Sequence, residues 1–169
     1  MNVTLEAWNA ASEAEALDAM VACCGSRRWA EAMVALRPIA GVAELSEAAD
    51  RVWATAGEAD WLEAFGCHPR IGERKAAQAS AQSGRWSRQE QAAVSEANKT
   101  VIAEIAAGNA LYEEKFGFAF IVCATGKTAE EMLAILNRRM GRERAEELRE
   151  AAEQQRQITQ IRLGKWLVE

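Results

Sequence analysis

The sequence predicts an all-α fold: a single compact multi-helix domain over residues 1–169, with one extended apolar segment at about 116–124 and no sheet. Three observations carry this reading. Only Pro38 and Pro69 interrupt 169 residues dense in Ala, Glu, Leu, Arg and Gln, the strong helix formers. A Ser or Thr followed by Glu at the N3 position recurs at Ser12/Glu15, Ser87/Glu90 and Thr128/Glu131, the spacing of a capping box that opens a helix. Only the run from Phe116 to Ala124 departs from helical periodicity.

Taken in order, Ser12 with Glu15 opens a helix that runs to Cys24 and stops at Gly25. Ser26 caps the next, through Trp29, Met33 and Leu36 to the break at Pro38. A third helix is expected over about Val42 to Ala56, and a short fourth holds Trp61, Leu62 and Phe65 before Gly66. Cys67 to Glu73 reads as a loop, because Pro69 biases His68 away from helical geometry and Gly72 permits a turn. Ser87 with Glu90 starts a long helix toward Ala107, with a further turn or two from Leu111 to Lys115. Thr128 with Glu131 opens another that closes at Gly141, and a last helix covers about Arg142 to Trp166.

Composition excludes several classes of function. Half of the residues are apolar and 27% are charged, which is globular rather than disordered composition. A chain of this length buries about 70% of the surface its unfolded form exposes. The net charge of −5, with Lys and Arg scattered among Glu, gives no basic field for a phosphate backbone, so nucleic acid is not an expected partner. No run of apolar residues is long enough to span a bilayer, and the start has no basic and apolar leader pattern. Cys23, Cys24, Cys67 and Cys123 show no paired spacing, so neither a disulfide framework nor a zinc site is expected. The C-terminal Leu167-Val168-Glu169 is not a peroxisomal address, and a cytoplasmic location is expected.

Three polar residues stand where chemistry is plausible. His68 is the only histidine, and apart from thiols it is the only side chain whose ordinary pKa lies near neutrality, so proton transfer at pH 7 would use it. Arg162 falls in the apolar stripe formed by Leu148, Ala151, Ala152, Ile158 and Trp166, while Arg149, Glu150, Glu153, Arg156, Gln157 and Gln160 lie opposite. An inward guanidinium needs an anion, either a protein carboxylate or a substrate carboxylate. Glu90 and Gln91 flank the face of Val94, Ala97, Val101 and Ile105; capping alone explains Ser87 and Glu90, although a helix N-terminus also receives polar ligands. The extended segment, with no sheet to join, leaves backbone amides available, unless it folds as a core helix or pairs with itself. Cys67 beside His68 makes poor dyad geometry, and Tyr112 and the tryptophans read as packing.

Four motifs occur together and in order: Ala64-Phe65-Gly66-Cys67-His68-Pro69-Arg70-Ile71-Gly72, Trp86-Ser87-Arg88-Gln89-Glu90-Gln91, Lys115 through Ala124, and Ile158-Thr159-Gln160-Ile161-Arg162-Leu163. In this combination the chain resembles the OHCU decarboxylase family, where OHCU is 2-oxo-4-hydroxy-4-carboxy-5-ureidoimidazoline. The resemblance implies an all-helical lyase without cofactor or metal, usually a homodimer, that releases CO2 from OHCU to give (S)-allantoin in urate degradation. It also implies catalytic roles for His68, Glu90 and Arg162. Substrate contacts would fall on Pro69, Ser87, Arg88, Gln89, Gln91, Phe120, Ile121, Val122, Cys123 and Ala124. Two other readings fit the residues alone: a ureide or cyclic-amide hydrolase with His68 as base, and a non-catalytic helical module that binds partners through exposed Trp and Leu.

Overall fold

The computed structural model describes residues 2–70, 85–86 and 99–169. Eight helices run through them: α1 Val3–Ala10, α2 Glu13–Cys24, α3 Arg27–Ala35, α4 Val42–Trp53, α5 Glu58–Gly66, α6 Lys99–Phe116, α7 Ala129–Arg139 and α8 Arg144–Trp166. Among the described residues there is no strand. The predicted Ser87/Glu90 capping box lies outside them.

The other expected signals act as read. The Ser12 and Thr128 side chains accept from the N–H groups of Glu15 and Glu131, whose carboxylates accept in return from the cap backbone. Ser26 caps α3 through the N–H of Trp29, and Gly25 closes α2 in the left-handed conformation. Several boundaries move, among them the close expected at Gly141, where the helix ends at Arg139, and the start of the last helix, at Arg144. The third helix ends at Trp53, and Thr55 and Ala56 turn back to Val52 and Trp53 rather than continuing it. The break expected between Ala107 and Leu111 does not occur, because α6 runs unbroken through Gly108. A Cβ on Gly108 would stand 2.6 Å from Cδ2 of Leu136, so this glycine lets α7 pack close instead of stopping α6.

The chain divides into two compact units, Met1–Ala64 with Arg156–Glu169, and Phe65–Gln155. In the first, α1 to α4 pack successively around Trp8, Met20, Trp29, Met33 and Leu45, all buried. Each such side chain withdrawn from water contributes roughly 2 kcal/mol or more. The Trp8 and Trp29 indoles donate to the carbonyls of Ala16 (3.0 Å) and Ala49 (3.1 Å), so burying them strands no donor. Arg37 donates to the carbonyls of Trp8 (2.8 Å) and Ala11 (2.9 Å) at the C-terminal end of α1, where the Trp8 carbonyl also accepts from the Ala11 N–H. Helix α1 itself was not expected: it is short, and tertiary contacts sustain it, with Asn2 donating to the Leu167 carbonyl at 2.9 Å and Trp8 edge-on to Trp166.

The polar side of α8 also departs from expectation. Arg156 donates to both carboxylate oxygens of Asp50 (3.2 and 3.0 Å), and Gln160 donates to the Ser46 carbonyl (2.9 Å) and to Asp50 (2.8 Å). These residues form a polar seam with α4 rather than a solvated face.

The second unit is built around one buried cation. Arg139, at the end of α7, is 1% exposed and Glu147 of α8 is fully buried. The two form an ion pair, and the Arg139 guanidinium also donates to the Ile121 carbonyl at 2.6 Å. Tyr112 of α6 donates its hydroxyl to the same Glu147 carboxylate at 2.5 Å. One network thus ties α6, α7, α8 and the extended segment. A separate apolar cluster of Ile105, Ala124, Ala129 and Met132, with Val101, Phe120 and Val122 against it, fills the space beside α6 and α7.

Arg139→Leu leaves the buried Glu147 carboxylate with only the more distant, partly exposed Arg142 guanidinium at 3.9 Å, and should cost about 3 kcal/mol in urea unfolding. Alkaline pH gives a second expectation. Burial above all, with the hydrogen bond to Glu147, pushes the Tyr112 phenol well above its ordinary 10.0, and burial pushes the Cys23 thiol above its ordinary 9.0. The folded chain therefore keeps protons that the unfolded chain releases. Their stabilisation is complete below pH 9.0 and is lost as pH rises toward the folded-state values. Melting temperature should fall progressively above that pH, and less steeply in Cys23→Ala.

Candidate active site

His68 stands at the exit of α5. Its N–H donates to the Phe65 carbonyl at 3.2 Å, and Pro69 then prevents any return to helix. The turn is held on its far side as well, because the Arg70 guanidinium pairs with the Glu113 carboxylate of α6 through two nitrogens. The imidazole is half-buried, and its Nε2 lies 2.6 Å from the amide oxygen of Gln155. An amide oxygen only accepts, so this bond requires the tautomer with hydrogen on Nε2. Gln155 is fully buried in α8, in register with Leu148, Ala151, Ile158 and Arg162 on the stripe that the sequence shows as apolar.

The extended segment begins one residue later than predicted, because Phe116 still belongs to α6. Gly117 ends that helix at φ +80, donating to the Glu113 carbonyl at 2.8 Å, and a side chain at this position would be strained. Phe118 then packs on Phe65, centroids 5.6 Å apart, and edge-on to Tyr112 at 5.9 Å, while Phe120 lies under the Arg139 guanidinium at 4.8 Å. The residues from Phe118 to Ala124 are non-helical and unpaired as strand. The expectation of available backbone amides holds only in part, since side chains take several of them. Arg139 holds the Ile121 carbonyl, the Gln154 amide oxygen accepts the Cys123 N–H at 2.8 Å, and the Lys127 ammonium donates to the Cys123 carbonyl at 2.8 Å. Among the described residues, none hydrogen-bonds to the backbone of Phe120 or Val122.

Arg162 is 1% exposed, in agreement with its place on the apolar stripe. Its charge acts on the Cys23 thiol, offsetting part of the burial that raises it. His68, Pro69 and Phe120 to Ala124 belong to the Phe65–Gln155 unit, whereas Arg162 belongs to the other. Ser87, Arg88, Gln89, Glu90 and Gln91 lie outside the described residues. Cys67, the alternative nucleophile, is buried. Among the described residues no group of three or more His, Cys, Asp or Glu is placed to hold a metal ion.

Sequence reasoning missed Gln154, Gln155, Arg139 and Glu147. Gln155 had a signal, since it interrupts the same periodic stripe as Arg162; Arg139 and Glu147 sit among other charges with no such signature.

These features define an all-helical protein with a histidine held in a Pro-bounded turn by a buried amide, beside an extended segment fastened by side chains. The family model described as OHCU decarboxylase matches residues 9–164, and the chain belongs to that family. Its relatives include the uric acid degradation bifunctional protein TTL of Arabidopsis thaliana, 37% identical over 85% of this chain and 44% of that protein. The 2-oxo-4-hydroxy-4-carboxy-5-ureidoimidazoline decarboxylase of Amia calva is 34% identical over 57% of this chain and 55% of that protein. The chain thus spans about half the length of these two, but it covers 95% of the decarboxylase of the same name from Haloferax volcanii, at 27% identity. Among solved structures, an OHCU decarboxylase in the presence of (S)-allantoin is similar over 90% of this chain and 99% of that one, with TM-score 0.77 and 33% identity. An (S)-allantoin synthase shares the fold over 97% of this chain and 54% of that one, at TM-score 0.72 and 21% identity.

If Gln154 fastens the extended segment, Gln154→Leu should accelerate hydrogen exchange at the Cys123 amide and lower stability by about 1–2 kcal/mol, the cost of a donor left without its acceptor. An unchanged exchange rate would remove Gln154 from that role.

Proposed function

We propose that this protein decarboxylates OHCU to (S)-allantoin and CO2, with His68, Glu90 and Arg162 as the catalytic residues. The observation that carries the proposal is the histidine of the His-Pro motif, half-buried, on a turn and hydrogen-bonded through Nε2. Family membership over residues 9–164 supplies the reaction.

In this reading the bond between the ring carbon and its carboxylate breaks, and CO2 leaves. The electron pair passes into the adjacent conjugated ring, and a proton then closes the product. Since the substrate itself accepts the electron pair, the chain's task is to bind, orient and protonate. Arg162, shielded from water, holds an anionic oxygen of the substrate by a bidentate contact. Glu90, assigned to the site by its motif, would favour the imidazolium and keep an acid present near pH 7. Delivery of the proton to one face sets the configuration. Pro69, Ser87, Arg88, Gln89 and Gln91 line the substrate, and the run Phe120 to Ala124 offers it backbone groups. The thiol route to a hydrolase lacks comparable support, because Cys67 is buried.

We also propose that residues 1–169 work as one domain, since the family match runs through both compact units. A homodimer in the cytoplasm completes the reading. Four free, buried cysteines suit a reducing compartment, and no described helix is long and apolar enough to cross a membrane.

The test is to generate OHCU from urate with urate oxidase and hydroxyisourate hydrolase and to follow optically active allantoin by circular dichroism. The protein should form the (S) enantiomer faster than spontaneous decay gives racemate. His68→Ala should lower that rate at least 100-fold while helicity stays near wild type. Near-normal turnover by this variant would take His68 out of the reaction.

A further inference from the structure

We propose that Gln155 is a positioning residue for the reaction: by accepting the Nε2–H of His68, it fixes the imidazole in one tautomer and one orientation, and makes Nδ1 the nitrogen whose proton is exchanged. The catalytic part of this inference rests on the decarboxylase reading, whereas the tautomer is a property of the resting protein.

The geometry has three parts. The Nε2 to Oε1 distance of 2.6 Å is short for a neutral pair, and the oxygen belongs to a side chain with no exposed surface, so bulk water does not compete for the bond. An amide on an apolar stripe costs desolvation energy unless it is hydrogen-bonded, and the imidazole bond offsets that cost. The backbone of His68 is already held by its bond to Phe65 and by the Arg70–Glu113 pair, so side-chain rotation is the freedom left to restrain. Gln155 restrains it. Its neighbour Gln154 fastens Cys123, so two successive glutamines of α8 hold the two parts of this unit to which substrate contacts are assigned.

Tautomer follows from donor chemistry. A ring nitrogen whose hydrogen points at a buried acceptor keeps that hydrogen, and the second nitrogen gains and loses the other proton. An acid of this kind delivers from Nδ1 of the imidazolium and returns to the Nε2–H neutral form.

The chain has a single histidine, so the ring-nitrogen spectrum of uniformly 15N-labelled protein reads this residue alone. At a pH where the ring is neutral, the wild-type protein should show the Nε2–H tautomer. An Nδ1–H tautomer, or an even average of the two, would overturn the proposal whether or not the protein is a decarboxylase. Gln155→Met keeps the length of the side chain and loses the acceptor. It should lose the tautomer preference and about tenfold or more in kcat, with KM within about twofold. Gln155→Glu keeps the acceptor and should recover Nε2–H and most of kcat. A Met variant with a fixed tautomer and wild-type kcat would refute the role, and if that variant does not fold, the wild-type spectrum still decides.

Discussion

Arg139 is the constraint on which the Phe65–Gln155 unit depends. A guanidinium with almost no exposed surface needs partners, and here they come from two elements: the Glu147 carboxylate in α8, and the Ile121 carbonyl and Phe120 ring of the extended segment. Tyr112 of α6 completes the arrangement by donating to Glu147. Interior ion pairs of this kind add little net stability over apolar packing, but they tolerate few alternative arrangements. An extended apolar segment with no sheet has many ways to collapse. The carbonyl that Arg139 grips selects one of them.

The same logic runs along the rest of the segment. Cys123 is held at both of its backbone polar groups, its N–H by Gln154 and its carbonyl by Lys127, while Gly117 supplies the backbone angle that turns the chain out of α6. Side chains thus do the work that neighbouring strands do in a sheet. Among the described residues, the backbone at Phe120 and Val122 stays outside this system.

Local signals were legible in the sequence where they are local in origin. The caps at Ser12, Ser26 and Thr128 and the stop at Gly25 depend on residues a few positions apart, and each reads directly. Arg162 was legible because a charge in an apolar stripe is conspicuous, and Gln155, a neutral residue in the same stripe, was passed over because amides are common on helices. Gly108 misled for the opposite reason: its cause lies in Leu136, on another helix, and nothing beside it in the chain signals that contact. Helix α1 likewise owes its existence to Asn2 and Trp8 meeting Leu167 and Trp166 at the other end of the sequence. Arg139 and Glu147 were hidden in a charged stretch where only the tertiary fold separates the buried pair from the exposed residues around it.

The hydrogen bond between His68 and Gln155 joins an imidazole to an amide, and this bears on how the bond responds to its surroundings. Paired with an acid, a histidine shares its protons, and the two groups titrate in steps that belong to neither one. Glutamine has no proton to share over the range in which proteins are stable, so this hydrogen bond contains no second titrating group. The acceptor at Nε2 therefore stays the same across that range, and the orientation it gives does not change with the protonation of a partner.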